Sequence, residues 1–280
     1  MAAVACCQLA PVLGAPQANR ELAAEAVSQA AAAGADIVVL PELMSSGYVF
    51  ESKDEARACA EAVDGPTLQV WVRLAAARDL VIVGGFCELA GEELFNSAAL
   101  VDASGVRAVY RKAHLWDRER LWFAPGSGAP PVLATRAGRV AMMICYDLEF
   151  PEWVRLPALA GAQLLCAPVN WPALPRPAGE RPMDVVKVQA DAAVNRMFVA
   201  VCDRAGQERG VDWVEGSVIV DADGWPLAGG AGGAGITTIM AECRLADALD
   251  KAVSSLSDVH ADRRPQLYQA VAEALGGSDA

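Results

Sequence analysis

The chain has 280 residues, 54% hydrophobic and 21% charged, enough to bury a large core, so a single domain over residues 1–280 is expected. Its 23 basic residues against 35 acidic ones leave a formal charge of −12, which argues against a nucleic acid or an anionic membrane surface as partner. Eight cysteines without a CxxC pair, and only His114 and His260 beside them, suit neither a disulfide scaffold nor a zinc site; no metal and no cofactor is expected.

The amino terminus carries no Lys or Arg before Arg20. Residues 3–9 therefore read as a first buried strand rather than as a secretory leader, and the protein is expected to be soluble and cytoplasmic. Residues 20–33 (RELAAEAVSQAAAA) are dense in helix formers, with Asn19 as the expected N-cap and Gly34 as the left-handed stop. A strand-like run at 36–40 follows. The next helix is expected over 66–78, opening at Pro66 and presenting Leu68, Val70, Trp71, Leu74 and Ala75 on one face.

Between 80 and 111 the pattern changes. Runs at 80–87, 96–102 and 106–111 succeed one another across the short linkers LAGEEL and DASG, which predicts hairpins, and hence a mixed sheet with helices on its outer side. Further strand-like runs lie at 138–144, 163–168, 197–202 and 216–221. Residues 168–182 (PVNWPALPRPAGERP) form a proline-stiffened loop that begins where a strand ends, a pocket wall or lid on one reading and a surface excursion on the other. The stretch AGGAGGAGI (228–236) reads as a turn between strands; a phosphate loop would need a lysine and a following helix. No segment has the unbroken apolar length that spans a bilayer.

Three strand-like runs end in groups that carry chemistry. Glu42 follows DIVVLP, Lys112 follows VRAVYR, and Cys145 follows VAMMI just before an acidic turn and Pro151. Singly, each has an ordinary reading: a helix-start acid, a solvated cation and a small inert core thiol. Together they offer a carboxylate, an amine and a nucleophile, a combination that can activate a thiol without histidine.

The segments LPELMSSGY (40–48), YRKAHLWDRERLWFAPG (110–126) and ICYDLEFPE (144–152) resemble the three signature blocks of the nitrilase superfamily of carbon-nitrogen hydrolases, and the similarity continues through GAQLLCAPVNW, GSVIVDADG and DRRPQLY. The resemblance implies an α/β fold, an αββα sandwich of two mixed sheets covered by helices, and a homodimer or higher homo-oligomer, with a C-terminal tail over about 250–280 used in its contacts. It implies Cys145 as nucleophile, Glu42 as general base, and Lys112 with the Tyr146 N–H as oxyanion site, while Glu119 orients the substrate. Asn170, Trp171 and Tyr146 fall at substrate-binding positions, with core packing the alternative for Trp171.

The implied substrate is a small aliphatic or amino-acid amide, because Tyr146 and Asp147 follow the cysteine where nitrilases typically carry Trp and Glu. Nitrile and N-carbamoyl hydrolysis are the alternatives from the same site, and a silent scaffold or redox-sensing relative is the non-enzyme one. His114 reads as a supporting residue. Arg176 and Arg181 in the proline-rich loop are candidates for a substrate carboxylate, or simply solvated. Where many relatives carry an Arg-Ala-x-Glu-Asn segment, this chain has Asp191, Val194 and Asn195, and it has Asp203 where Asn is frequent.

Overall fold

In the computed structural model, which describes residues 1–269, the elements in chain order are β1 (Ala2–Gln8), α1 (Pro16–Ala32), β2 (Ile37–Val39), α2 (Lys53–Ala58), α3 (Pro66–Arg78), β3 (Val81–Ala90), β4 (Glu93–Asp102) and β5 (Gly105–Arg111). Then come α4 (Glu119–Trp122), β6 (Val132–Thr135), β7 (Gly138–Met142), a 3-10 turn at Cys145–Glu149, α5 (Pro151–Leu159), β8 (Leu164–Pro168), α6 (Met183–Asn195) and β9 (Phe198–Cys202). The short hairpin β10 (Gln207–Glu208) and β11 (Val211–Asp212) leads to β12 (Val218–Val220), β13 (Pro226–Gly229) and β14 (Thr237–Cys243), and a last hairpin is β15 (Ala252–Ser254) with β16 (Ser257–Asp258).

One six-stranded sheet runs β14-β1-β2-β3-β4-β5 and the other β13-β12-β9-β8-β7-β6. Both are mixed: β1, β2 and β3 are parallel, as are β7, β8 and β9, and the flanking pairs are antiparallel. Successive side chains of a strand point to opposite faces, and both faces are used here. From β1, Val4 and Cys6 join Ile37 and Val39 in the core against β7, β8 and β9, while Ala5 and Cys7 pack outward with residues of α1 and α3. The second sheet is covered in turn by Val154 and Ala158 of α5 and by Val185, Val188 and Ala192 of α6. The layering is therefore αββα, as expected.

The helix over 66–78 forms as expected, with Thr67, Leu68, Trp71 and Ala75 buried. The first helix starts earlier than Asn19, at Pro16, because proline is pre-set for a first helical turn and lacks the N–H that would go unbonded there. Asn19 is thus not the cap. It lies buried inside α1, accepting from Val12 N at 2.7 Å and donating to Val12 O at 2.8 Å, so it ties the preceding loop to the helix. Gly34 does close the helix with a φ of 96°. The linker LAGEEL is mostly strand: Leu89 pairs with Leu94 and Ala90 with Glu93, leaving the turn to Gly91 and Glu92. Strand β14, beyond the expected runs, is the neighbour of β1, so the first and last strands of this sheet lie side by side.

Strand direction positions the site. The chain leaves the C-terminal ends of β2, β5, β7 and β8 at Glu42, Lys112, Cys145 and Asn170, respectively, and these ends share one edge of the sandwich. Gly85 on β3 permits the first of these: a Cβ there would stand 2.5 Å from Leu43 N and 2.6 Å from Glu42 Cα. Leu40 N, Gly85 N and Met44 N then bond across to Val83, Pro41 and Gly85 carbonyls, fixing the loop that carries Glu42. Among the described residues no helix is long and apolar enough to cross a membrane. The tail expected to make oligomer contacts, residues 250–280, lies in part outside the described residues.

Candidate active site

Lys112 is fully buried and its Nζ lies between two carboxylates, 2.8 Å from Glu42 Oε1 and 2.7 Å from Glu119 Oε1. Burial works against the ammonium, but Glu119 and Glu42 outweigh it and hold the lysine charged, well above its ordinary range. The two glutamates are not equivalent. Glu119 Oε1 also accepts from the Tyr48 hydroxyl at 2.6 Å, and its Oε2 accepts from Trp116 N at 3.2 Å. Glu42 Oε1 accepts from Lys112 and from Asn96 Nδ2 at 2.7 Å, while its Oε2 is buried and has no partner among the described residues. Burial, with the charge of Glu119, pushes Glu42 up to about 7 against the pull of Lys112. A buried carboxylate with a bare oxygen and an affinity for protons near neutrality has the properties of a general base.

Cys145 follows β7 by way of Met143 and Ile144 and takes a φ of 45°, a left-handed conformation that costs a non-glycine residue on the order of 1 kcal/mol. The turn is held by Asp147. Its Oδ2 accepts from Ile144 N at 3.2 Å and from the Tyr110 hydroxyl at 2.7 Å, and its Oδ1 accepts from His114 N at 3.0 Å. His114 Nδ1 lies 2.8 Å from the same oxygen and the ring stacks on Phe150 at 3.8 Å, so the histidine supports the turn, as the sequence reading has it. Burial and the nearby Glu42 raise the Cys145 thiol well above its ordinary value, so at rest it is protonated. Its Sγ reaches the carbonyl of Asn170 at 3.9 Å, and Asn170 Nδ2 donates to the Glu42 carbonyl at 3.0 Å.

Glu42, Lys112, Glu119, Cys145 and Asn170 thus converge. Tyr146 stands half-buried beside them, edge-on to Trp116 at 4.9 Å and to Phe150 at 5.2 Å. Trp171 is buried, and Asp203 holds it: the carboxylate accepts from the N–H groups of Trp171, Arg204 and Gly216 at 3.0, 2.9 and 2.9 Å. That accounts for Asp203 in place of Asn, because an amide there would turn one N–H donor against another. Asp191 is buried, with its Oδ2 unpartnered among the described residues, and burial pushes it up to about 7; Val194 in the same segment is exposed.

The proline-rich loop divides. Asn170 and Trp171 are buried, whereas residues 173–181 run over the surface, where Arg181 bonds Gln189 on α6 and Arg176 is exposed. Neither arginine contacts the cluster. Asn96, whose carbonyl receives Lys112 N while its amide holds Glu42, carries no signal in the sequence, and Tyr48 carries only its place six residues past Glu42 inside the first signature block. For Trp116 the available signal was its place between the lysine and the second glutamate.

A buried thiol beside a lysine flanked by two carboxylates, at the edge of two facing sheets, is the arrangement of a thiol-dependent hydrolase. The chain belongs to the carbon-nitrogen hydrolase family, that is, the nitrilase superfamily; the family's sequence model matches residues 3–250. It is 33% identical over 269 residues to a nitrilase from Pyrococcus abyssi, covering 96% of this chain and 99% of the relative. It is 35% identical over 190 residues to an (R)-stereoselective amidase from a Pseudomonas species, covering 68% and 66%. A solved amidase from Nesterenkonia sp. AN1 is 27% identical with a TM-score of 0.77, covering 96% of this chain and 95% of that one; it is a glutamate-to-glutamine variant with the acetamide moiety of fluoroacetamide added covalently at the active site cysteine. The protein is a hydrolase acting on carbon-nitrogen bonds other than peptide bonds.

Proposed function

We propose that the protein hydrolyses a small aliphatic or amino-acid amide to a carboxylate and ammonia through a thioester on Cys145. The supporting observation is the asymmetry of the two glutamates, since Glu42 alone of the two keeps an oxygen without a partner among the described residues, and its charge acts on the thiol. Glu42 takes the Cys145 proton as sulfur attacks the amide carbonyl, and the negative oxygen is stabilised by Lys112 and the Tyr146 N–H. Glu42 returns the proton to the leaving nitrogen as the C–N bond breaks. It then deprotonates a water, which attacks the thioester; the carboxylic acid leaves and the thiol re-forms. Trp116, Tyr146 and Trp171 supply apolar walls for the acyl group, and Asn170, with its Oδ1 buried and unpartnered among the described residues, is an acceptor for the substrate's N–H.

The name of the Pseudomonas relative and the acetamide moiety held on the cysteine of the Nesterenkonia amidase support an amide over a nitrile. A matched amide, nitrile and N-carbamoyl compound, each assayed for ammonia and carbon dioxide, test the choice. The amide is expected to give a kcat/KM at least about 10-fold above the others, a difference of about 1.4 kcal/mol in the barrier. Faster turnover of the nitrile, or carbon dioxide released with ammonia at a higher kcat/KM, would overturn it.

We also propose that the protein is a homodimer joined through α5 and α6. Phe150, Trp153, Leu156, Leu159 and Val194 line a groove of about 950 Å³ whose lining also includes charges of both signs, Glu152 and Asp262 with Arg155 and Arg263. Such a face offers a second copy both apolar area and matching charge, as an isologous interface requires. Light scattering at micromolar concentration is expected to give twice the chain mass, falling to one chain in Leu156→Asp; a monomeric wild type would refute the proposal.

A further inference from the structure

Tyr48 is held from two sides. Its main chain is clamped by Glu208, whose Oε1 accepts from Tyr48 N at 2.8 Å and Val49 N at 2.6 Å while Oε2 takes Arg204 Nη1 at 2.9 Å. Arg204 is itself buried, donating to Pro11 O at 3.0 Å and lying 4.6 Å over the Trp213 ring. Trp213 in turn meets the Tyr48 ring edge-on at 5.6 Å. A side chain fixed by a buried ion pair and an aromatic contact has almost no freedom left, so its hydroxyl is a pre-organised donor.

That hydroxyl reaches Glu119 Oε1, the oxygen that Lys112 also bonds. The titratable groups facing this oxygen are Lys112, Tyr48, Glu42 and Cys145, with Glu208 and Arg204 behind the Tyr48 main chain. We propose that Tyr48 is a positioning residue that divides the labour between the two glutamates: by filling Glu119 with donors it makes that carboxylate a fixed counter-ion and leaves Lys112 shared with Glu42 and aimed at the thiol. Without the hydroxyl, Glu119 draws the ammonium toward itself. Glu42 then loses part of the positive field that favours its ionised form, and the lysine moves off the line to the developing oxyanion. Burial and the neighbouring negative charges keep the Tyr48 phenol un-ionised, so it donates across the working pH range.

The inference rests on the roles proposed above for Glu42 and Lys112, and Tyr48→Phe tests it while keeping the ring that packs on Trp213. The variant is expected to lose about 10- to 100-fold in kcat with KM changed less than about 3-fold, and to move the acid limb of its pH profile to higher pH. Introduced into Glu119→Gln, the same change is expected to cost far less than in wild type, because the oxygen it acts through is already altered. The pH dependence of Cys145 alkylation by iodoacetamide gives a readout that needs no substrate; its midpoint is expected to shift upward in Tyr48→Phe, so a wrong substrate class leaves this result standing. An unchanged kcat, a KM effect with an unmoved acid limb, full additivity with Glu119→Gln, or an unmoved alkylation midpoint would each overturn the proposal.

Discussion

Cys145→Ala is expected to release no ammonia above background, a loss of about 10⁴-fold or more in kcat, because the covalent route disappears and only binding and oxyanion stabilisation remain. The fold should persist, since the change removes one sulfur from a strained turn whose shape is held by Asp147 rather than by the thiol. Measured ammonia release with retained thermal unfolding checks both parts, and persistent turnover would remove Cys145 from the mechanism. Alkylation separates catalysis from a silent scaffold. All eight thiols are buried, and burial pushes Cys7 and Cys243 up to about 12, so both stay inert near neutrality. Cys145 starts protonated as well, but it has a carboxylate base and a lysine beside it. One thiol reacting first, and lost in Cys145→Ala, fits an active site; uniform slow labelling fits the scaffold.

The three strand-end groups were legible because each closes a strand-like run, where a β/α chain leaves its sheet and side chains become available for chemistry. The mixed sheet was legible from the short linkers between β3, β4 and β5. Pairing across sheets and across long separations was not. Asn96 reads as one polar residue in a strand, and only the approach of Glu42, 54 residues earlier, turns its amide into a support for the base. Tyr48 meets Glu119 across 71 residues, and its clamp comes from Glu208, 160 residues away. Asp147 reads as part of an acidic turn, and its grip on Tyr110 and His114 exists only once β5 and β7 face each other. At Asn19 a local rule failed: N-cap chemistry suited the residue, but Pro16 had already started the helix and the amide found better partners in the folded loop.

Glu42→Gln is expected to separate activity from stability. Wild-type kcat/KM should fall as pH drops below about 7, since the base must be ionised and burial pushes Glu42 up to about 7. The glutamine keeps the acceptor toward Lys112 and Asn96 but has no base to offer, so hydrolysis should fall by about 10²- to 10⁴-fold. Stability should move the other way. Because the folded-state pKa lies above the ordinary value of 4.5, the fold binds the proton more tightly than the unfolded chain does. Its contribution is fully present below that ordinary value and is lost as pH rises through about 7. Asp203, also pushed up to about 7 by burial, adds to the wild-type slope but is common to both proteins, so their difference isolates Glu42. Above neutrality the wild type buries two carboxylates against one ammonium, whereas Glu42→Gln buries one balanced pair, Lys112 with Glu119. The variant should therefore unfold at the same denaturant concentration as wild type near pH 4 and be more stable at pH 8, on the order of 1–3 kcal/mol. Denaturant titrations at the two pH values measure this; a wild type more stable at pH 8 would mean that Lys112 pairs better with two carboxylates than with one. Burial of the Glu42 carboxylate, with the charge of Glu119 beside it, both weakens the fold above neutrality and gives Glu42 its affinity for a thiol proton, so the two effects cannot be tuned apart at this position.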